Sequence, residues 1–328
     1  MSPIQFLLSK YKNRPKVIQD DGFTLIELLV ASIIAVLVIT PLFGFMINIV
    51  NSDRQEQAKA SSEQEIQSAT DYIARDLQQA IYIYNEAGVD AIKAQLPSPN
   101  DVNRVPVLVF WKREFINGVL TAADNNKDDT FVYSLVAYYL IKDDSAPWSK
   151  AARIARWQIR DGVKLSSGVT CSGYTDKYVS GYCPSTGYAP FKLEGVGTLE
   201  QKMNSWTRLS SYTTTANNVT TTTNVSYQDS PVVLIDYIDQ TTTGAPAAIT
   251  CPTGTSKVTP ASFNTRTPGQ MTSFYACVDT TNTAAQVFLR GNALARIRSS
   301  NFNYSSSQKN YFPQVSIRVQ GRGFLFTQ

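Results

Sequence analysis

Between Glu27 and Asp53 the chain carries no charged side chain, and from Leu28 to Val50 it reads LLVASIIAVLVITPLFGFMINIV. A bilayer core of about 30 Å needs about 20 apolar helical residues, so this segment is long enough to cross one. It is too long for the apolar region of a secretory signal peptide, and no small-residue cleavage site comes after it. Lys10, Lys12, Arg14 and Lys16 precede the run, whereas Asp53, Arg54, Glu56 and Lys59 succeed it with alternating sign. A basic flank stays in the cytoplasm and sends the downstream chain across the membrane. The expectation is a single-pass protein of the inner (plasma) membrane, with its N-terminus cytoplasmic and its C-terminal domain periplasmic or extracellular.

Composition narrows the function classes. Only 17% of the 328 residues are charged, and the net charge of +4 is scattered. A nucleic-acid partner is therefore not expected, because such footprints are clustered and strongly basic. Histidine is absent, which excludes Ser-His-Asp and Cys-His catalysis and any zinc site that needs an imidazole. No nucleotide-binding glycine loop is present, no cofactor is expected, and the chain reads as a structural protein rather than an enzyme.

The margin of the apolar run holds an anomaly. Gly22-Phe23-Thr24-Leu25-Ile26-Glu27-Leu28-Leu29 places a carboxylate at the mouth of a spanning helix. An acid at mid-membrane costs about 2.5–3.5 kcal/mol, and less near the edge. A helix that packs beside copies of its own kind has a use for such a group; an ordinary anchor has none.

The stretch GFTLIELLVASIIAVLVITPLF resembles the type III signal peptide of type IV prepilins and type II secretion pseudopilins. That resemblance implies a prepilin peptidase/methyltransferase as partner, cutting after Gly22 and N-methylating Phe23. It also implies that Glu27 pairs with the N-terminal amine of an adjacent subunit. Cation and anion would neutralise each other between staggered helices, where neither is tolerable alone in lipid. The leader is longer than that of many pilins and carries Asp20 and Asp21 beside the cut. Inside the span, Pro41 and Gly44 predict a kink or loosened turn, since proline removes a helix hydrogen bond. In the filaments the chain resembles, the helix partly melts near such positions during assembly.

Four segments are expected: a cleaved leader over 1–22, an assembly helix over 23–50, an amphipathic helix over 51–88 and a β-rich domain over 89–328. Ile66, Ala69, Ile73, Leu77, Ala80, Ile81 and Tyr84 recur at steps of three and four, which predicts a helix to about Tyr84. Runs rich in Val, Ile, Phe and Tyr predict strands at 105–111, 130–142, 154–159, 231–238, 286–290 and 314–319. No helix alternates with them, so the fold class is α+β: one long helix packed on antiparallel sheet, pilin-like. Residues 162–230, rich in Thr, Ser, Tyr and Gly, read as hairpins and long surface loops. The run Ala74-Arg75-Asp76-Leu77-Gln78-Gln79-Ala80 resembles the larger minor pseudopilins, of the type II secretion J and PilW kinds. Residues 287–291 and 312–323 resemble cyanobacterial pseudopilins assigned to hormogonium polysaccharide secretion, the C-type subunit in particular.

The four cysteines, Cys171, Cys183, Cys251 and Cys277, form no CxxC pair. In an exported domain they read as two disulfides, with Cys171–Cys183 and Cys251–Cys277 expected among three connectivities; four buried thiols are the alternative. Asp124, Asn126 and Asp128 place oxygens at alternate positions, as a calcium loop begins, but Asp129 stands where glycine is needed and Leu135 where a bidentate glutamate is. A solvated acidic turn is the default there, and no metal is expected. Asn218, Asn224 and Asn303 begin glycosylation sequons. Trp111, Trp148, Trp157 and Trp206 read as core, or alternatively as a carbohydrate platform. Asp143 and Asp144 are adjacent, so on a strand they would face opposite ways.

The reading is a minor pseudopilin in a filament that exports an extracellular polymer, with other pilins and an inner-membrane assembly platform as partners. Exported polysaccharide, used in gliding motility, is the further partner implied. The alternatives are a minor type IV pilin for adhesion, twitching or DNA uptake, and a membrane-anchored carbohydrate-binding or hydrolytic domain.

Overall fold

A computed structural model of the protein describes residues 22, 24–121, 126–323 and 325. Its first element is a helix, α1 (Leu25–Gln78), followed almost entirely by antiparallel sheet. The chain divides into two compact units between Arg54 and Gln55.

In the first unit every described residue of α1 is exposed, including all those from Leu25 to Val50. The helix is long and apolar enough to cross a membrane by length and composition. It stays helical through Pro41 and Gly44.

The second unit begins with the rest of α1, which buries Ala58, Ser62, Ile66, Ala69, Thr70, Ile73, Ala74, Asp76 and Leu77 on one stripe. That stripe lies against a five-stranded sheet. Its strands are β1 (Ala80–Ile83), β2 (Arg104–Thr121), β3 (Lys127–Ile141), β4 (Ala152–Arg160) and, after an excursion, β9 (Val232–Ile238), in the order β1-β2-β3-β4-β9. Strand side chains alternate between faces, and the register assigns them. Lys112, Tyr138 and Arg156 point to the helix, where all three reach Asp76. Trp111 and Trp157 point the other way. There Trp111 meets Tyr188, Phe191 and Trp206 edge-on, and Trp157 meets Tyr227. The excursion from residue 162 to 230 thus covers one face while α1 covers the other.

The excursion contains β5 (Lys164–Thr170) with β6 (Lys177–Tyr178) and the exposed threonine hairpin of β7 (Ser211–Ala216) with β8 (Val219–Asn224). A short helix, Leu199–Asn204, was not expected there; Thr198 and Gln201 close it with a capping box. A second sheet has the order β10-β11-β12-β13, from β10 (Ser256–Val258), β11 (Phe274–Asp279), β12 (Ala284–Arg290) and β13 (Gln314–Gln320). Ala276, Val278, Val287 and Leu289 on its inner face join the same core as the first sheet. Asp239 and Arg290 form a buried ion pair (2.8 Å) beside the bridge from Ile238 to Gly291 that links the two sheets.

The expected helix over 51–88 is corrected: α1 stops at Gln78, Ala80–Ile83 is a strand, and a separate helix, α2 (Glu86–Ile92), comes next. The reason is tertiary. The carbonyls of Gln78, Gln79 and Ala80, which a longer helix would have used internally, accept N–H groups from Arg322, Arg113 and Gly323. This approach requires glycine at 321, where a Cβ would lie 2.3 Å from the Ala80 oxygen. The apolar residues at helical spacing, Ala80, Ile81 and Tyr84, are buried just as they would be on a helix, but the first two lie on an edge strand and Tyr84 just past its end.

Candidate functional site

The segment that sequence reasoning singled out sits at the start of α1. Gly22 is exposed, while Phe23 lies outside the described residues. Thr24 caps the helix: its Oγ1 and carbonyl oxygen both accept the Glu27 N–H (3.3 and 3.0 Å), and the carbonyl also accepts that of Leu28. This Thr-x-x-Glu spacing is that of a capping box, and it sets Glu27 in the first helical turn. A carboxylate there is favoured by the helix dipole. Glu27 is nonetheless exposed, and among the described residues no cation meets it. The cap thus orders the backbone that carries the acid, while the described residues leave its charge unanswered.

Residues 19–43 match the family model described as the prokaryotic N-terminal methylation motif. That motif places the chain in the type IV pilin and pseudopilin class. No curated protein and no solved structure matches the chain. Pilins of this class are structural rather than catalytic, and the motif implies processing by prepilin peptidase and assembly with other pilins. The apolar helix beside it is consistent with a membrane-anchored, single-pass protein.

The working half of α1 carries a second carboxylate that sequence reasoning did not single out. Asp76 is 7% exposed, and it is held by Arg156 (2.6 and 3.2 Å), Lys112 (2.9 Å) and the Tyr138 hydroxyl (2.7 Å). Burial alone would push its carboxyl upward, but the Arg156 guanidinium, with Lys112, holds it below the ordinary range. The same surroundings raise Tyr138, through burial and the neighbouring Asp76 charge. One carboxylate therefore ties the helix to β2, β3 and β4 at once. The signal for it was available: Asp76 falls three residues after Ile73 and four before Ala80, on the apolar stripe itself.

The remaining expected sites are scattered over the second unit. Cys171–Cys183 and Cys251–Cys277 are both disulfide-bonded. Asp124 lies outside the described residues, Asn126 borders the gap, and Asp128 is on β3 opposite Leu120. Asp129 accepts the Gly118 N–H (2.7 Å). Among the described residues no cluster of His, Cys, Asp or Glu could hold a metal. Trp111, Trp157 and Trp206 are buried and only Trp148 is exposed, so the four tryptophans form no platform. Asp143 and Asp144 lie past the end of β3; Asp143 pairs with Arg153 (2.7 Å) and Asp144 with Lys142 (3.3 Å).

Proposed function

We propose that the chain is a minor pseudopilin, processed between Gly22 and Phe23, N-methylated on Phe23, and built into a short periplasmic filament that exports an extracellular polymer. The observation that carries this reading is Glu27. Its backbone is fixed by Thr24, and among the described residues no cation meets its carboxylate at the mouth of an apolar helix. The amine of a neighbouring processed subunit supplies the missing charge, and a pair of this kind sets the stagger between helices. The leader over 1–22 stays on the cytoplasmic side, and the domain from about residue 55 is the surface that meets other subunits, the assembly platform and cargo. The resemblance of residues 287–291 and 312–323 to pseudopilins of hormogonium polysaccharide secretion supports polysaccharide as that cargo and gliding as the process served.

Mass spectrometry of the mature N-terminus tests the class assignment. A methylated Phe23 is expected; an intact Met1, or a cut elsewhere, overturns it. Deleting the gene tests the system. Loss of polymer export with surface pili retained is expected, and the converse would make the chain a minor type IV pilin.

A further inference from the structure

A hollow of about 520 Å³ in the second unit lies between the Cys171–Cys183 loop and the root of the β7–β8 hairpin. It falls within the 300–1,000 Å³ range of small-ligand sites. Its walls are aromatic: Tyr174, Tyr212 and Tyr227 line it together with Thr186, Thr223 and Asn224. Two of these rings are seated on glycines in the left-handed region. A Cβ on Gly173 would lie 2.8 Å from the Tyr212 ring, and one on Gly187 would lie 2.7 Å from the Tyr227 ring. Two are anchored through their hydroxyls: Tyr174 donates to the Ser185 and Tyr188 carbonyls (3.1 and 2.8 Å) and Tyr227 to the Gln95 carbonyl (2.6 Å). The disulfide closes one end. The rings are thus fixed in place before any ligand arrives, which lowers the ordering cost of binding.

The lining excludes most ligand classes. Among the described residues that form this hollow none is charged. A metal would want carboxylates, a phosphate would want a cation, and a charged peptide would lose hydration with nothing to replace it. Arg208, which lines the adjoining hollow rather than this one, is engaged by the Tyr227 ring (4.9 Å) and the Val225 carbonyl (2.9 Å). What remains is a ligand with an uncharged, hydroxyl-rich rim and apolar C–H faces that can lie on tyrosine rings, whose faces are electron-rich. A second hollow of about 220 Å³ shares Ser226 and Tyr227 with the first and leads on to Pro97 and Pro99; its lining adds one cation, Arg208, and one anion, Asp229, and so no net charge. The two together suit a chain of sugars rather than a single one.

We infer that this double hollow is a binding cleft for a neutral glycan chain. The inference deepens the export reading and rests on it for the identity of the cargo. Its chemistry can be tested without a filament.

The test measures binding of full-length protein in detergent to neutral hexasaccharides of glucose, mannose, galactose and xylose, with oligogalacturonate as the acidic comparison. At least one neutral hexamer is expected to bind with Kd below about 1 mM. Tyr212→Ala and Thr223→Arg should each raise that Kd tenfold or more, while Tyr212→Phe keeps it within about twofold, since the ring face carries the contact. Thr223 is exposed, so its variant keeps the fold even if Tyr212→Ala does not. Absence of any neutral binder, preference for the uronate, or binding undiminished in Thr223→Arg would overturn the cleft. Processing is read separately from the methylated N-terminus, and export from deletion of the gene, so either proposal can fail while the other stands.

Discussion

Of the seven carboxylates on helix α1, Asp76 and Glu27 are treated in opposite ways. Asp76 is buried and met by two cations and a hydroxyl from three strands. Glu27 is exposed: Thr24 accepts only its backbone N–H, and among the described residues no cation meets its carboxylate. The apolar residues around them differ in the same sense: Ile66, Ile73 and Leu77 are fully buried, whereas Leu28, Ile33 and Leu37 are exposed. The protein therefore completes one half of its longest element itself and leaves the other half to its surroundings. A buried charge with its partners in the same chain serves folding; on the proposed reading, the exposed one serves assembly.

The comparison breaks most visibly at Asp76. Asp76→Ala leaves Lys112 and Arg156 facing an unfilled site, and loss of one partner from a buried pair costs about 3–5 kcal/mol. All four tryptophans lie in the second unit, so urea unfolding followed by their fluorescence reads this unit alone. Because Arg156 and Lys112 hold the Asp76 carboxyl below its unfolded value, its contribution is complete above the ordinary carboxylate range. It is lost as pH falls through the folded value. Asp76→Asn should flatten that acid limb. An unchanged limb would mean that other carboxylates carry it.

The apolar residues sharpen the same contrast. Leu77→Ala removes a fully buried side chain and should cost about 2–5 kcal/mol. Leu37→Ala, made on the exposed half and measured in detergent by the same fluorescence, should change stability by less than about 0.5 kcal/mol. Equal losses would show that the first half is packed on the protein after all.

Much of this contrast was legible in the sequence. The spanning run and Glu27 are matters of composition and position, and each strand run expected from side-chain type lies within two residues of one end of a strand. The disulfides join the cysteines nearest in sequence. What could not be read locally depends on distant chain. The end of α1 at Gln78 is imposed by Arg113, Arg322 and Gly323, and Ala80, Ile81 and Tyr84 satisfy helical spacing whether or not a helix continues. Strand β11 was missed although Phe274–Asp279 is nearly all buried, because a short apolar run with a cysteine inside has no period of its own. The tyrosine cleft is assembled from residues 171 to 228, with residues 94 to 99 and 229 to 231 in its second hollow, and is invisible as a motif.

Glu27→Ala should separate the two roles. Stability of the second unit stays within about 0.5 kcal/mol of wild type. Incorporation into filaments, measured by shearing and immunoblot, falls tenfold or more, equivalent to about 1.4 kcal/mol per contact. Normal incorporation would remove the reason for the exposed acid.

The smallest effect concerns a carboxylate of neither kind. Asp161, just past β4, is partly buried and accepts the Gly162 N–H, but among the described residues it has no ion pair of its own. Burial pushes its carboxyl above the ordinary range, the reverse of Asp76. The folded state then holds the proton more tightly than the unfolded one, so this residue favours folding as pH falls and opposes it as pH rises past the folded value. Asp161→Asn should therefore stabilise the second unit at pH 7 by less than about 1 kcal/mol, with the gain vanishing near pH 4. If the variant is instead less stable at neutral pH, the Gly162 contact outweighs the burial. Partial burial without a cation would then no longer mark a carboxylate that the fold merely tolerates.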